Sequence, residues 1–463
     1  MNNNEIILNQ LKEFIAFSTI SSDENSKQQL WHCAQWLKHH FITMGLQNVT
    51  IFKTAVNPVI YADYVIDPSF KTILFYGHYD VQPVDPISKW KSSPFKAVIK
   101  DNYIYGRGTS DDKGQLFIHI KAVEKLLKDG RSVPVNIKFL LEGAEEIGSI
   151  GLKDFIAVHK ELLQCDVAVV SDTKMAGISI PAITYSLRGS LNASISIQTS
   201  EKDLHSGTFG GYVPNAALTI SNFISKLYNE DDTIAIPGFY DDVKLLSLHE
   251  RKFIQANGIS NEKLLNDAGI FRSWGEKKYS LHERSTVRPS LSVTAITAGF
   301  QGEGVKNVIP STASVKLNFR LVPNQLPEKI AVLLNNHIQK LLKDTSVKKV
   351  YSSFNKPVTV DVNNRYVVAA ANAYQKVFQQ KTIFIRSGGT VGAVDYLQTI
   401  LKVPLVLMGF AQIEDNMHAP NEKFYLPNFF KGIDTIIYFI KNVSLIKNNI
   451  KSKQGVFAKV EKH

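Results

Sequence analysis

Three apolar runs in the first part of the chain each end in acid or histidine, and this constrains the fold more than any other feature. Ile73-Leu74-Phe75-Tyr76 breaks at Gly77 into His78-Tyr79-Asp80. The run 135–141 passes into Glu142-Gly143-Ala144-Glu145-Glu146, and the run 166–171 is followed by Asp172. Strands are expected at these three places and at residues 59–64. Helical spacing of apolar residues fills 114–127 (ended by Gly130) and 152–163, and earlier 5–17 and 26–44. Such alternation predicts an α/β fold with a mostly parallel sheet flanked by helices. In open sheets of this kind the ligand crevice lies at the carboxyl ends of the strands. His78, Glu145, Glu146 and Asp172 all follow such ends, and Asp111 lies in the loop before a helix, so separate stretches converge on one site.

The pattern changes near residue 185. Residues 186–198 alternate, with Leu191, Ala193, Ile195 and Ile197 on one side. Residues 215–228 and 327–343 have helical spacing, while 291–296 and 314–321 are strand-like. These predict a small α+β domain with one sheet face covered. The more polar stretch 231–289 reads as an extended loop carrying short helices. Strand and helix alternation resumes after about residue 360 and continues through His418 to residue 440. A catalytic metal-binding domain of residues 1–186 and 361–463, with residues 187–360 inserted, is therefore expected.

Length and composition agree: 463 residues exceed one ordinary core, and 44% hydrophobic with 21% charged residues is typical of a soluble globular protein. The N-terminus lacks the basic start and apolar stretch of a signal peptide, and no segment approaches a membrane span. Two cysteines, Cys33 and Cys165, form no framework, which points to the cytoplasm. The formal charge of +11 is scattered. Its densest part, residues 441–463, reads as a solvated terminus. No nucleic-acid motif is present, so neither nucleic acid nor membrane is an expected partner. The charge mildly favours anionic substrates.

A close pair of divalent ions needs one bridging carboxylate and, for each ion, a histidine and a further carboxylate. His78, Asp111, Glu146, Asp172 and His418 match that need. Such a centre polarises a carbonyl and supplies hydroxide near neutral pH. Glu145, next to Glu146, suits a base that does not ligate, and Asp80 suits a partner for the second ring nitrogen of His78. Taken singly, each residue has a plainer reading. His-x-Asp is common on surfaces, Asp111-Asp112 and Asp172 could cap helices, Glu145-Glu146 could be an exposed turn, and His418 a loop histidine. Their joint placement at strand ends favours the metal centre.

Three stretches resemble signatures of the M20 family of metallopeptidases. They are Tyr76-Gly77-His78-Tyr79-Asp80-Val81-Gln82-Pro83, Gly106-Arg107-Gly108-Thr109-Ser110-Asp111-Asp112-Lys113-Gly114, and Glu142-Gly143-Ala144-Glu145-Glu146-Ile147-Gly148-Ser149. Asp203-Leu204-His205-Ser206-Gly207, Ile236-Pro237-Gly238-Phe239-Tyr240 and Arg320-Leu321-Val322-Pro323 are most similar to the carnosinase-type, cytosolic non-specific dipeptidases. The resemblance implies a dinuclear-zinc exopeptidase-like domain and an inserted lid and dimerisation domain. It implies two divalent metal ions per subunit, one held by His78, Asp111 and Asp172, the other by Asp111, Glu146 and His418. Zn²⁺ suits these ligands best, and Mn²⁺ and Co²⁺ accept the same set. The implied reaction is cleavage of the amide bond of dipeptides or short peptides with a free C-terminal carboxylate, by a metal-bridged hydroxide with Glu145 as general base. A homodimer is implied, with His205 steadying the oxyanion in the partner's site. Arg320 would grip the substrate carboxylate, and Asn307 and Ser387-Gly388-Gly389-Thr390 would add substrate contacts. A cis peptide is implied at Asp111-Asp112, where Asp112 stands in place of the Asn or Glu of many relatives.

The same ligand set serves N-acyl amino acid deacylases and desuccinylases, which form the alternative. A non-catalytic binding protein of the same fold is a remote second, since the ligand positions and the base are all intact.

Overall fold

The strand Lys71–His78 is buried from Ile73 through His78 and organises the larger part of the structure. Val135–Glu142 and Val167–Val170 lie parallel to it on either side, in the registers Ile73↔Ile137 and Ile73↔Val167. Leu405–Leu407 continues the parallel run beside Val167–Val170. Antiparallel strands flank these four, Val59–Tyr64 and Gln47–Phe52 on one side and Ala182–Leu187 on the other. Strands covered on both faces read as continuous apolar runs, which is why the central ones were legible in the sequence. Because four neighbours run the same way, their carboxyl ends share one edge.

This computed structural model describes residues 3–128, 130 and 134–447. Of the basic stretch 441–463, expected to be a solvated terminus, residues 441–444 instead close the helix Leu426–Ser444, and 448–463 lie outside the described residues. Two compact units are present. One takes in the chain as far as Tyr185, then Val360–Ile385 and the chain from Val391 on; the other takes in Ser186–Thr359 and Arg386–Thr390.

In the larger unit the helix Lys113–Lys128 packs on Lys71–His78 and is flanked by Asn3–Ala16 and Leu426–Ser444. Phe14, Trp36 and Phe117 meet between helices, with ring centroids 5.4–6.3 Å apart. Burying a side chain such as Phe117 contributes roughly 1.5–3 kcal/mol. The helix expected over 152–163 stops at Val158. Beyond it the chain turns, and the carbonyls of Leu162 and Gln164 accept hydrogen bonds from Lys138 Nζ at 2.7 and 2.8 Å. Among the described residues, no helix is long and apolar enough to cross a membrane.

The smaller unit has a four-stranded antiparallel sheet in the order Ser290–Ala298, Thr312–Leu321, Gly189–Gln198, Ser346–Asn355. Leu191, Ile195, Leu317 and Phe319 pack with Phe223 of the helix Ala216–Ser225 and Leu334 of the helix Pro327–Leu341. Asn215 caps the first helix by accepting from the Ala217 and Leu218 amides. The helices Leu248–Asn257, Asn261–Ala268 and Leu281–Thr286 occupy the polar stretch 231–289.

Candidate metal centre

The sheet delivers His78 at the last position of its strand, Glu145 and Glu146 just beyond Val135–Glu142, and Asp172 just beyond Val167–Val170. Asp111 comes from the loop before Lys113–Lys128. His418 comes from a loop in which Asn416, His418 and Asn421 all have positive φ, +57°, +62° and +62°. Positive φ is uncommon outside glycine, though Asn and His adopt it more readily than most residues.

These side chains meet. Asp111 Oδ1 lies 3.2 Å from His78 Nε2, and its Oδ2 lies 2.9 Å from His418 Nε2. One carboxylate thus spans two imidazoles. His418 Nε2 is also 3.3 Å from Glu146 Oε2, and His78 Nε2 is 4.0 Å from Asp172 Oδ2. Candidate ligand atoms of Asp111, Glu146 and His418 all lie within 4.8 Å of one another, as do those of His78, Glu145 and Asp172. Glu145, expected as a base, thus shares a cluster with two expected ligands.

Asp80 lies beneath this constellation, fully buried. His78 Nδ1 is 3.2 Å from the Asp80 carbonyl and 3.4 Å from its carboxylate. The same carboxylate accepts the amide N–H groups of Glu145 at 3.2 Å and Glu146 at 3.0 Å. One buried acid therefore orients a histidine on one strand and the acidic pair after the next.

The electrostatics fit a cationic occupant. Burial works against ionisation of Asp111, yet contacts with His418 and His78 hold its carboxyl far below the usual range. Asp111 and Glu146 lift His418 to about 10. Burial would lower His78, but its bonds to Asp111 and Asp80 raise it well above the ordinary imidazole value. Both shifts answer the acids around the rings. Glu145 is pushed well above the usual carboxylate range, first by burial. Glu146 Oε1 is buried with no hydrogen-bond partner among the described residues. Four carboxylates, one of them with an unsatisfied oxygen, and two imidazoles make a donor set that fits two divalent cations. The peptide Asp111-Asp112 is cis. Burial pushes the Asp112 carboxyl well above its usual value.

Two supporting residues escaped the sequence reading. Glu422, fully buried, accepts the amides of Gly108, Ser110 and Asp111 at 3.0, 2.8 and 3.1 Å and the Arg107 guanidinium at 2.8 Å. It holds the loop that presents Asp111, and its signal was an acid four residues after His418. Gln82, inside the first signature, donates to Glu146 Oε2 at 2.9 Å.

The remaining expected residues belong to the smaller unit. His205 is exposed at the start of a short helix, and its Nδ1 accepts from the Gly207 and Thr208 amides at 3.1 and 3.2 Å. That tautomer leaves the proton on Nε2. Asn307 is nearby in the fold, its carbonyl accepting from the Ser206 amide. Arg320 Nη1 donates to Thr390 Oγ1 at 2.8 Å, which joins the arginine to the segment Ser387-Gly388-Gly389-Thr390.

A family model described as peptidase family M20/M25/M40 matches residues 74–442. The Cys-Gly metallodipeptidase DUG1 of Candida albicans is 30% identical over 449 residues, covering 93% of each chain. The human Beta-Ala-His dipeptidase is 30% identical over 383 residues, covering 81% of this chain and 76% of its own. Among solved structures, the M20 family metallo-carboxypeptidase Sso-CP2 from Sulfolobus solfataricus superposes with a TM-score of 0.88. It is 32% identical and covers 96% of this chain and 100% of its own.

Proposed function

We propose, given that this chain belongs to peptidase family M20/M25/M40, that it hydrolyses the amide bond of dipeptides and short peptides bearing a free C-terminal carboxylate. It is an M20-type metallopeptidase, and its relatives include dipeptidases of two substrate types. The observation that carries the mechanistic reading is Asp111, whose two oxygens face two different imidazoles. His78, Asp111 and Asp172 would hold one divalent ion, and Asp111, Glu146 and His418 the other, with zinc best suited to the set. When bound, the ions supply Lewis-acid charge at the scissile carbonyl and acidify the attacking water.

The protein's own groups do the rest. Glu145 takes the proton from that water and delivers it to the departing amine. Its raised affinity for a proton, caused by burial, suits that double duty. Asp80 fixes the His78 ring and the Glu145 backbone together, so base and ligand keep their spacing. His205, with its Nε2 proton outward, donates to the oxyanion in the site of the partner subunit of a homodimer. Arg320 receives the substrate carboxylate through its planar fork, with Asn307 and Ser387-Gly388-Gly389-Thr390 completing the contact. The two cysteines are unpaired, Cys33 being buried, which suits the cytoplasm as the site of action.

The test is metal analysis of protein purified without added metal, then reconstitution and assay on paired panels of dipeptides and N-acyl amino acids. The proposal expects two ions per chain and turnover of dipeptides. Faster turnover of the N-acyl amino acids would replace it with a deacylase.

A further inference from the structure

Arg188 immediately precedes the strand Gly189–Gln198 and is tied to the segment 388–390 three times over. Its N–H donates to the Gly389 carbonyl at 3.0 Å, its Nε donates to the Gly388 carbonyl at 3.0 Å, and its own carbonyl accepts from Thr390 Oγ1 at 2.6 Å. Thr390 Oγ1 in turn accepts from Arg320 Nη1 at 2.8 Å. A continuous chain of contacts thus runs from Arg188 through Thr390 to Arg320. The segment is pressed from its other side as well. A Cβ at Gly388 would lie 2.3 Å from the carbonyl of Ser285, on the helix Leu281–Thr286, and 3.1 Å from Arg188 Nη2. Only glycine fits between the helix and the guanidinium.

The charge at this place is unusual. The remaining bonds of Arg188 go to Ser290 Oγ at 3.1 Å and the Arg288 carbonyl at 3.4 Å, and among the described residues it makes no ion pair. Burial and the nearby charge of Arg320 push the group down to about 10, so it remains a cation at neutral pH. Two guanidiniums held close together with only neutral oxygens on one of them favour an anion beside them. Arg320 and Ser290 are also paired across neighbouring strands, which places both arginines against the same strand end.

We infer that Arg188 is a positioning residue for recognition of the substrate's C-terminal carboxylate: it fixes the Gly388-Gly389-Thr390 backbone and through Thr390 the direction of Arg320. The inference rests on the carboxylate role of Arg320 proposed above. It is tested on the full-length, metal-loaded enzyme with a dipeptide and the C-terminal amide of the same dipeptide. Arg188→Gln raises KM for the free dipeptide by roughly tenfold or more, leaves kcat within about threefold, and leaves KM for the amide unchanged. In an Arg320→Gln background the same substitution adds nothing further to KM, because it acts through that arginine. An equal rise in KM for acid and amide, or an effect that adds to Arg320→Gln, overturns the inference and leaves Arg188 a structural residue. Arg320→Gln that preserves the preference for acid over amide overturns the earlier reading of Arg320 instead. If Arg188→Gln does not fold, Arg188→Lys keeps the charge and loses the fork. It should weaken the same preference, and an unchanged preference overturns the inference.

Discussion

Two histidines, one in each unit, show how differently the parts of this enzyme are built. His78 is fully buried at a strand end, and acids occupy both of its ring nitrogens. His205 is exposed on a short helix, with one ring nitrogen satisfied by its own backbone. The first is fixed by the sheet and by neighbours distant in sequence. The second is tied through one nitrogen to the backbone of its own turn. The groups proposed for bond chemistry are thus held by the larger unit's sheet, whereas His205, proposed to meet the oxyanion, stands exposed on the smaller one.

The contrast makes predictions, the first three directed at its two sides. Glu145→Gln removes the carboxylate proposed as the base and keeps the side chain's shape. Turnover should fall by roughly a thousandfold or more while metal content by elemental analysis stays near that of the parent; retained turnover removes Glu145 from the mechanism. Glu422→Ala leaves Arg107 buried without its charge partner. A loss of about 3–5 kcal/mol in denaturant unfolding is expected, because the Asp111 loop loses its anchor. A loss below about 1 kcal/mol would show that the loop holds itself. His205→Gln should lower kcat by about a hundredfold with little change in unfolding midpoint. A marked fall in stability would make the exposed histidine as structural as the buried one.

The fourth prediction concerns pH. His119 lies buried, its Nε2 2.6 Å from Ser171 Oγ, and that hydroxyl donates to the Met408 carbonyl. Burial lowers its pKa to about 3. The unfolded chain therefore binds a proton at this ring, between about 6.5 and about 3, that the folded chain refuses. Stability from this ring is present above the unfolded value and is lost as pH falls through that window. Between pH 6.5 and 5 the loss is about 2 kcal/mol. His119→Phe should flatten the pH dependence of the unfolding midpoint by that amount, and an unchanged slope would remove the ring as its source.

Legibility followed the same division. His78, Glu145, Glu146 and Asp172 stood out because each closes or follows an apolar run, and a buried parallel strand writes itself as such a run. Glu422 and Arg188 did not. Their partners, the Gly108–Asp111 amides and the Gly388–Thr390 segment, lie hundreds of positions away, and no local period reports a hydrogen bond made over that separation. The strand Ser346–Asn355 was missed for another reason. It forms a sheet edge on which every second residue is exposed, so Lys348, Lys349 and Ser352 blur the alternation. The expected helix 152–163 overran because apolar spacing continues through Leu163 while the backbone turns to serve Lys138.

The carboxylate of Asp111, facing His78 on one side and His418 on the other, joins stretches of chain that are made at very different times. During synthesis the first histidine leaves the ribosome early and the second only when most of the chain has been made. Until then the acids at the strand ends have one imidazole, and the Asp111 loop lacks the Glu422 clasp. A chain broken off before residue 418 would lack both the second imidazole facing Asp111 and the Glu422 clasp on its loop.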